Sequence, residues 1–174
     1  FDHGLQYLSP RSKEFKSFTN NLLKKKVLKK WKGHHKFLNK KVQNNRKHIK
    51  LIGVKGNNDI SKYLLKNINC SFQSELSKIK RKKNYWYLKF KDESFVYSKN
   101  LIITAPFPQT KKLVSKFVKT KLFKNRVIMN SSLTVLLITN KTGNKTASFF
   151  TNDNILGWVS YENSKKRFKY NKDL

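Results

Sequence analysis

The chain has 174 residues and carries 40 Lys plus Arg against 9 Asp plus Glu, a formal charge of +31. That length lets one domain bury roughly 70% of its unfolded surface, and no apolar run approaches the roughly 20 residues of a membrane-spanning helix. The lone Cys70 leaves no disulfide framework and no cysteine metal site, and it fits a reducing, cytoplasmic compartment.

The first fifteen residues join a polar, aromatic loop containing Gly4 to Ser9-Pro10, a helix-start signal in which Ser9 caps and Pro10 takes the first helical position. Phe15, Phe18, Leu22 and Leu23 then form the stripe of an amphipathic helix, closed by Lys24, Lys25 and Lys26 at its negative end. Residues 27–31 read as a short strand with Trp31 in the core, Gly33 as a turn, and residues 35–39 as a second strand. Residues 42–50 are polar and aperiodic, which predicts a loop. His34, His35 and His48 have no nearby Cys or carboxylate, so they read as solvated side chains rather than metal ligands.

Residues 51–54 predict a short apolar strand, Gly53 and Gly56 a turn, and Asp59 the cap of a helix with Ile60, Tyr63, Leu64 and Ile68 on one face. Neither GxGxxG nor Gly-Lys-Ser/Thr occurs, so no phosphate loop is legible. Cys70, Phe72, Ser74 and Leu76 alternate with polar neighbours as a half-buried strand does. After a basic turn at residues 80–83, Trp86, Leu88 and Phe90 alternate in a second strand, and Asp92-Glu93-Ser94 turns into a third at residues 95–97. Together these predict a β-meander.

The apolar run at residues 101–103 predicts a strand buried on both faces, stopped by Thr104-Ala105-Pro106. Pro108 starts a helix bearing Leu113, Val114 and Phe117. Residues 133–139, 147–151 and 156–161 predict strands of an antiparallel sheet, and residues 165–174 form a polar tail.

Four of these stretches carry a resemblance, in one order along the chain. They are Asp2-His3-Gly4-Leu5-Gln6-Tyr7 with Pro10-Arg11 and Phe15; Lys50-Leu51-Ile52-Gly53-Val54-Lys55-Gly56-Asn57; Leu101-Ile102-Ile103-Thr104-Ala105-Pro106-Phe107-Pro108-Gln109; and Leu156-Gly157-Trp158-Val159 with Asn163-Ser164-Lys165-Lys166. They resemble the segments FDHGAQYF, RYVGVPGM, VVLALPAPQ and LAWIARDSSKP of renalase-like flavoproteins in the FAD-dependent amine oxidase superfamily. Leu5, Lys55 and Asn57 depart from the family's Ala, Pro and Met.

The resemblance implies a mixed α/β (α+β) fold: part of an FAD-binding Rossmann-like domain with a β-meander, plus part of an antiparallel-sheet substrate domain. It divides the chain into a flavin-facing loop and helix (1–26), substrate-domain strands and loop (27–50), a portion of the FAD-binding domain with the meander (51–108) and an incomplete substrate-domain portion (109–174). It implies FAD as cofactor, with Gly4, Gln6 and Tyr7 near the flavin ring, the backbone of Leu76 near the adenine, and Ala105 and Pro106 at a strand end beside the cofactor. Tyr7 and Trp158 would face a small-molecule substrate, an amine or a reduced nicotinamide, with O₂ or a similar acceptor taking the electrons. No catalytic residue is identified, because the hydride chemistry belongs to the flavin and the few carboxylates show no paired spacing. The family's glycine-rich pyrophosphate loop is expected before Phe1 and its closing segment after Leu174, so this fragment alone is expected to bind FAD weakly and to be inactive.

Two other readings stay open. One is a lysine-rich nucleic-acid-binding module, because so large a positive charge attracts phosphate polymers. Arg occurs only at positions 11, 46, 81, 126 and 167, however, and the lysines are spread alongside abundant Asn, Ile and Phe, as AT-rich drift at exposed positions also produces. Tyr85 and Tyr87 in the basic meander do not supply an RNP-like pattern, and no specific nucleic-acid partner is expected. The other reading is a non-catalytic, decayed fragment.

Overall fold

The computed structural model describes residues 2, 4–38, 49–118, 127–140, 146–151 and 153–167. His48, most of the expected loop at 42–50, and the tail beyond Arg167 lie outside the described residues. Among those described, three helices and three small sheets make a mixed α/β architecture. By contacts the chain divides into two units, Phe1–Ile68 with Thr134–Leu174, and Asn69–Leu133.

In the first unit, helix α1 (Lys13–Lys24) starts three residues later than the Ser9-Pro10 signal predicts. Ser12 is its cap, and its Oγ accepts from the N–H of Phe15 at 3.1 Å. Leu22 and Thr19 are buried while Phe15 and Phe18 remain at the surface as a stacked pair, so the buried stripe is narrower than the apolar one. Strand β1 (Leu28–Lys30) pairs antiparallel with β3 (Leu51–Gly53), and Leu8 adds a bridge to Leu51 from the opening segment. All three residues of β3 are buried. Leu51 joins Leu22 and Leu28 in one apolar cluster, and its neighbour Ile52 joins Trp31 and Ala147 in another, because successive side chains of a strand point to opposite faces.

Strand β3 ends at Gly53 for a steric reason. A Cβ built there would stand 1.9 Å from the carbonyl oxygen of Gly56, so only glycine lets the turn close. The helix after it, α2 (Asn58–Leu64), is not capped by Asp59 as expected. Asp59 Oδ2 instead accepts from the turn's own N–H groups, Lys55 at 2.7 Å and Gly56 at 3.3 Å. Ile60 and Tyr63 pack on the first cluster, whereas Leu64 and Ile68 are exposed.

The other sheet of this unit has β2 (His34–Phe37) parallel to β7 (Thr146–Phe150), which pairs antiparallel with β8 (Trp158–Ser160). The expected antiparallel sheet is therefore mixed. Gly33 enters β2 at φ +142, with Ala147 Cβ 2.6 Å from where its own Cβ would lie.

The second unit is built on the meander of β4 (Leu76–Lys82), β5 (Tyr85–Phe90) and β6 (Phe95–Ser98). Its first strand is displaced from the predicted 70–76. The two-residue turn at Lys83 and Asn84 sets the register, so β5 pairs with residues 76–82, and Gln73 at φ 59 breaks extension upstream. Helix α3 (Phe107–Val114) starts one residue before the expected Pro108, with Pro106 as its N-cap, and Phe117, expected on the helix, lies beyond its end and meets Trp86 edge-on at 5.5 Å.

Two predicted strands do not form. Residues 101–103 have no regular structure and Ile102 is 88% exposed, and of the expected strand 133–139 residues 133–138 are likewise irregular and exposed, with Thr139 alone in an isolated bridge. An apolar run becomes a strand only where another edge accepts its hydrogen bonds, and no described strand pairs with either.

Candidate functional site

The first unit gathers its polar residues at one buried node. The opening segment is held against β3 by the paired hydrogen bonds of Leu8 and Leu51, both 2.8 Å. This brings Asp2 to the turn after β3, where its Oδ1 accepts from the N–H of Asn57 at 3.0 Å. From the far end of the chain, a 3₁₀ turn (Glu162–Lys165) places Glu162 and Lys165 on one side, as i and i+3 are in such a turn. Lys166 then adopts a left-handed conformation, φ 49, after which the chain reaches Arg167.

Lys165 has no exposed side-chain surface. Its Nζ donates to Asp2 Oδ2 at 3.2 Å, to Gln6 Oε1 at 3.0 Å and to Glu162 Oε1, which uses all three ammonium hydrogens. It also stands 5.2 Å over the Trp31 ring, and Trp31 Nε1 donates to Ser164 Oγ at 2.9 Å. Arg167 donates from Nη1 to Asp2, from Nε to the carbonyl of Gly53 at 3.1 Å and from Nη2 to Asn57 Oδ1 at 3.0 Å. Two carboxylates thus face two cations, and the node is neutral. Burial by itself would raise the Asp2 carboxyl. The hydrogen bonds from Asn57 and Arg167 and the charges of Lys165 and Arg167 outweigh it and hold Asp2 below the ordinary carboxylate range.

Beside the node lies an aromatic group. Tyr7 sits 6.0 Å from Trp31 and 6.4 Å from Trp158, with Lys50 Nζ 4.9 Å over its ring. Burial raises the Tyr7 hydroxyl, with Arg11 pulling the other way, and burial lowers the Lys50 ammonium. Trp158 is partly buried, and its Nε1 has no acceptor among the described residues. His35, read from sequence as solvated, is half-buried edge-on to Trp31 at 4.7 Å with Nδ1 2.7 Å from Ser148 Oγ.

The expected site residues therefore meet different fates. Gln6, Tyr7 and Trp158 are gathered around the node. Gly4 is exposed, and a Cβ there would meet nothing within 4 Å. In the second unit Leu76 opens β4 opposite Phe90, Ala105 is exposed with its carbonyl accepting from Thr110 Oγ1 at 2.8 Å, and Pro106 is exposed at the start of α3. Asp2, Asn57, Glu162, Lys165 and Arg167 were not singled out as site residues. Asp2, Asn57 and Lys165 lie in the family-like segments and Glu162 and Lys165 have i, i+3 spacing, but nothing local joins these residues into one site, since Asp2 and Arg167 are 165 positions apart.

These residues meet the requirements of FAD at one place only. Gly4 leaves backbone open to a flat ring. Both ends of the Gln6 amide are taken inside the chain, by Asp2 O and Lys165 Nζ, and the strand that would end at Ala105 is not formed. An open cleft of about 770 Å³ runs along α1, lined by Arg11, Lys13, Lys16 and Lys24 among others, and none of the expected cofactor residues lines it. Among the described residues no group of three His, Cys, Asp or Glu is placed to hold a metal ion. No helix among them is long and apolar enough to cross a membrane. No protein-family model matches the chain and no curated protein matches it.

Proposed function

We propose that the chain is the central part of an FAD-dependent oxidoreductase of the renalase-like kind, with residues 4–7 lying along the flavin ring. The observation that carries this reading is the convergence of three of the four family-like segments. Asp2 and Gln6 from the first, Gly53 and Asn57 from the second and Lys165 from the fourth meet in one hydrogen-bonded node. Chance likeness in separate stretches gives them no reason to meet in space. One of these contacts belongs to this chain rather than to the pattern, since Asn57 stands where the family segment has Met.

FAD held beside Gly4, Gln6 and Tyr7 would supply the redox chemistry, hydride acceptance from a carbon next to an amine nitrogen or from a reduced nicotinamide with O₂ or a similar acceptor taking the electrons. The chain's own contribution is positioning. The node ties residue 2 to residue 167 and so fixes the loop that carries Gly4. Because it is neutral, it does so without adding a net charge beside the ring. Tyr7 and Trp158 supply an aromatic wall for the substrate, and Leu76, Ala105 and Pro106 are assigned to the cofactor on the resemblance alone.

The test starts from the DNA on both sides of the coding segment. Upstream it should meet a strand, a GxGxxG and an acidic residue about 20 positions on. The product of that whole frame, purified and heated to release its cofactor, should yield FAD nearly equimolar with polypeptide, whereas the 174-residue chain alone yields little. A whole-frame product that unfolds cooperatively yet releases no flavin sinks the reading.

A further inference from the structure

We propose that the open face of the β4–β5–β6 meander is a stacking platform for single-stranded nucleic acid, a role independent of the flavin reading. The register divides the meander's side chains into two faces. One carries Ile79, Arg81, Trp86, Leu88 and Val96, with Ile79 and Leu88 buried. The other carries only lysine and aromatic residues: Lys78, Lys80 and Lys82 on β4, Tyr85, Tyr87 and Lys89 on β5, and Phe95 and Tyr97 on β6.

The rings on that second face form a continuous patch. Tyr87 lies 5.8 Å from Phe95 and 5.4 Å from Tyr97, and Phe95 and Tyr97 are 5.8 Å apart. Phe95 is 58% and Tyr97 52% exposed, a large apolar area to leave open on a small sheet. Lysines border it. Lys82 Nζ stands 5.4 Å over Tyr87 and 5.9 Å over Tyr97, and no described carboxylate pairs with Lys78, Lys80 or Lys82. The nearby acids lie toward the other end, where Glu93 pairs with Lys89, Glu75 with Lys91, and Asp92 accepts from Ser94.

This combination selects its occupant. A second copy of the same face would set lysine against lysine, which disfavours a dimer. A duplex hides the faces of its bases and offers only its charge. A single strand offers both, with bases to stack on the rings and phosphates to meet lysines set about 7 Å apart along β4. The only arginine of the meander, Arg81, points to the other face and covers Trp86 at 4.8 Å, so the platform lacks the planar fork that reads base edges. Binding is accordingly tolerant of sequence, and no RNP-like pattern is needed.

The test is fluorescence anisotropy of the whole chain with a labelled oligothymidylate of about 20 nucleotides, titrated at several salt concentrations. Phe95→Ala and Tyr97→Ala should each weaken binding by about 5-fold or more without changing the salt slope. Lys80→Ala and Lys82→Ala should each reduce that slope by about 0.7. If thermal unfolding reports that an alanine variant is not folded, Phe95→Leu and Tyr97→Leu replace it, since they keep the apolar bulk and remove only the π-face. Aromatic variants that bind as tightly as the parent overturn the proposal. So does a duplex, an inorganic polyphosphate or an anionic vesicle that competes as well as the oligothymidylate at equal charge.

Discussion

Lys165 and the two tryptophans beside it illustrate what a buried polar group needs. The Lys165 ammonium is tolerated without solvent because three acceptors and the Trp31 ring surround it. Removing one partner from such a set leaves an uncompensated charge, at a cost of about 3–5 kcal/mol. The tryptophans differ in the same respect. Trp31 Nε1 has Ser164 Oγ as acceptor, whereas Trp158 Nε1 is buried without one. Both Trp31→Phe and Trp158→Phe incur the cost of a smaller ring, but only the first also loses a hydrogen bond while the second removes an unsatisfied donor, so Trp31→Phe should destabilise the chain by about 1 kcal/mol more than Trp158→Phe. Urea midpoints of the two variants check this, and a Trp158→Phe loss equal to that of Trp31→Phe counts against the assignment. Trp31 was legible as core from its place at the end of a short expected strand, residues 27–31. The half-burial of His35 was not, because Ser148 and Trp31 reach it only through the fold.

At the scale of elements, legibility followed how local the stabilising contacts are. Helix α1 and the meander strands β5 and β6 were readable because their periodicity and turns lie within a few residues. The cap of α1 was misplaced because two serines compete, and Ser12 alone has the N–H of Phe15 at the right distance. Residues 101–103 and 133–139 read as strands because composition reports burial tendency and not whether a ladder is at hand. The C-terminus of α1 holds a feature that charge patterning conceals. Val27 N–H bonds to Leu22 O at 2.9 Å and Lys26 N–H to Leu23 O at 3.0 Å, with Lys26 left-handed at φ 55, which is a Schellman closure made without glycine. A side chain in that conformation costs about 1 kcal/mol. Lys26→Gly should therefore stabilise the chain by about 1 kcal/mol, read as a higher urea midpoint at unchanged slope. A loss of stability would mean that the Lys26 side chain holds something else in place.

For the whole molecule, +31 sets a constant repulsion, and the few acids that are buried in pairs matter out of proportion to their number. The convergence of family-like segments on Asp2 could not be read from sequence, because a contact across nearly the whole chain leaves no local spacing. It does leave a pH signature. The folded His35 imidazole is held below about 6.5, its ordinary value, first by burial and then by Lys50 and His34, with a backbone hydrogen bond at Trp31 opposing them. Below that pH the unfolded chain takes the proton first, so this part of the stability is present above about 6.5 and is lost as pH falls through the lowered folded value. Asp2 behaves alike in a lower window. Its contribution is complete above about 4, the unfolded value, and disappears as pH falls through its depressed folded value. Stability should therefore decline gently below about pH 6.5 and steeply below about pH 4. Asp2→Asn should lower stability at neutral pH by about 3 kcal/mol and flatten the steep limb, while leaving the upper decline unchanged. Urea midpoints measured across that range decide it, because an Asp2→Asn variant with an acid limb as steep as the parent's would mean that Asp2 is not the buried partner of Lys165 and Arg167.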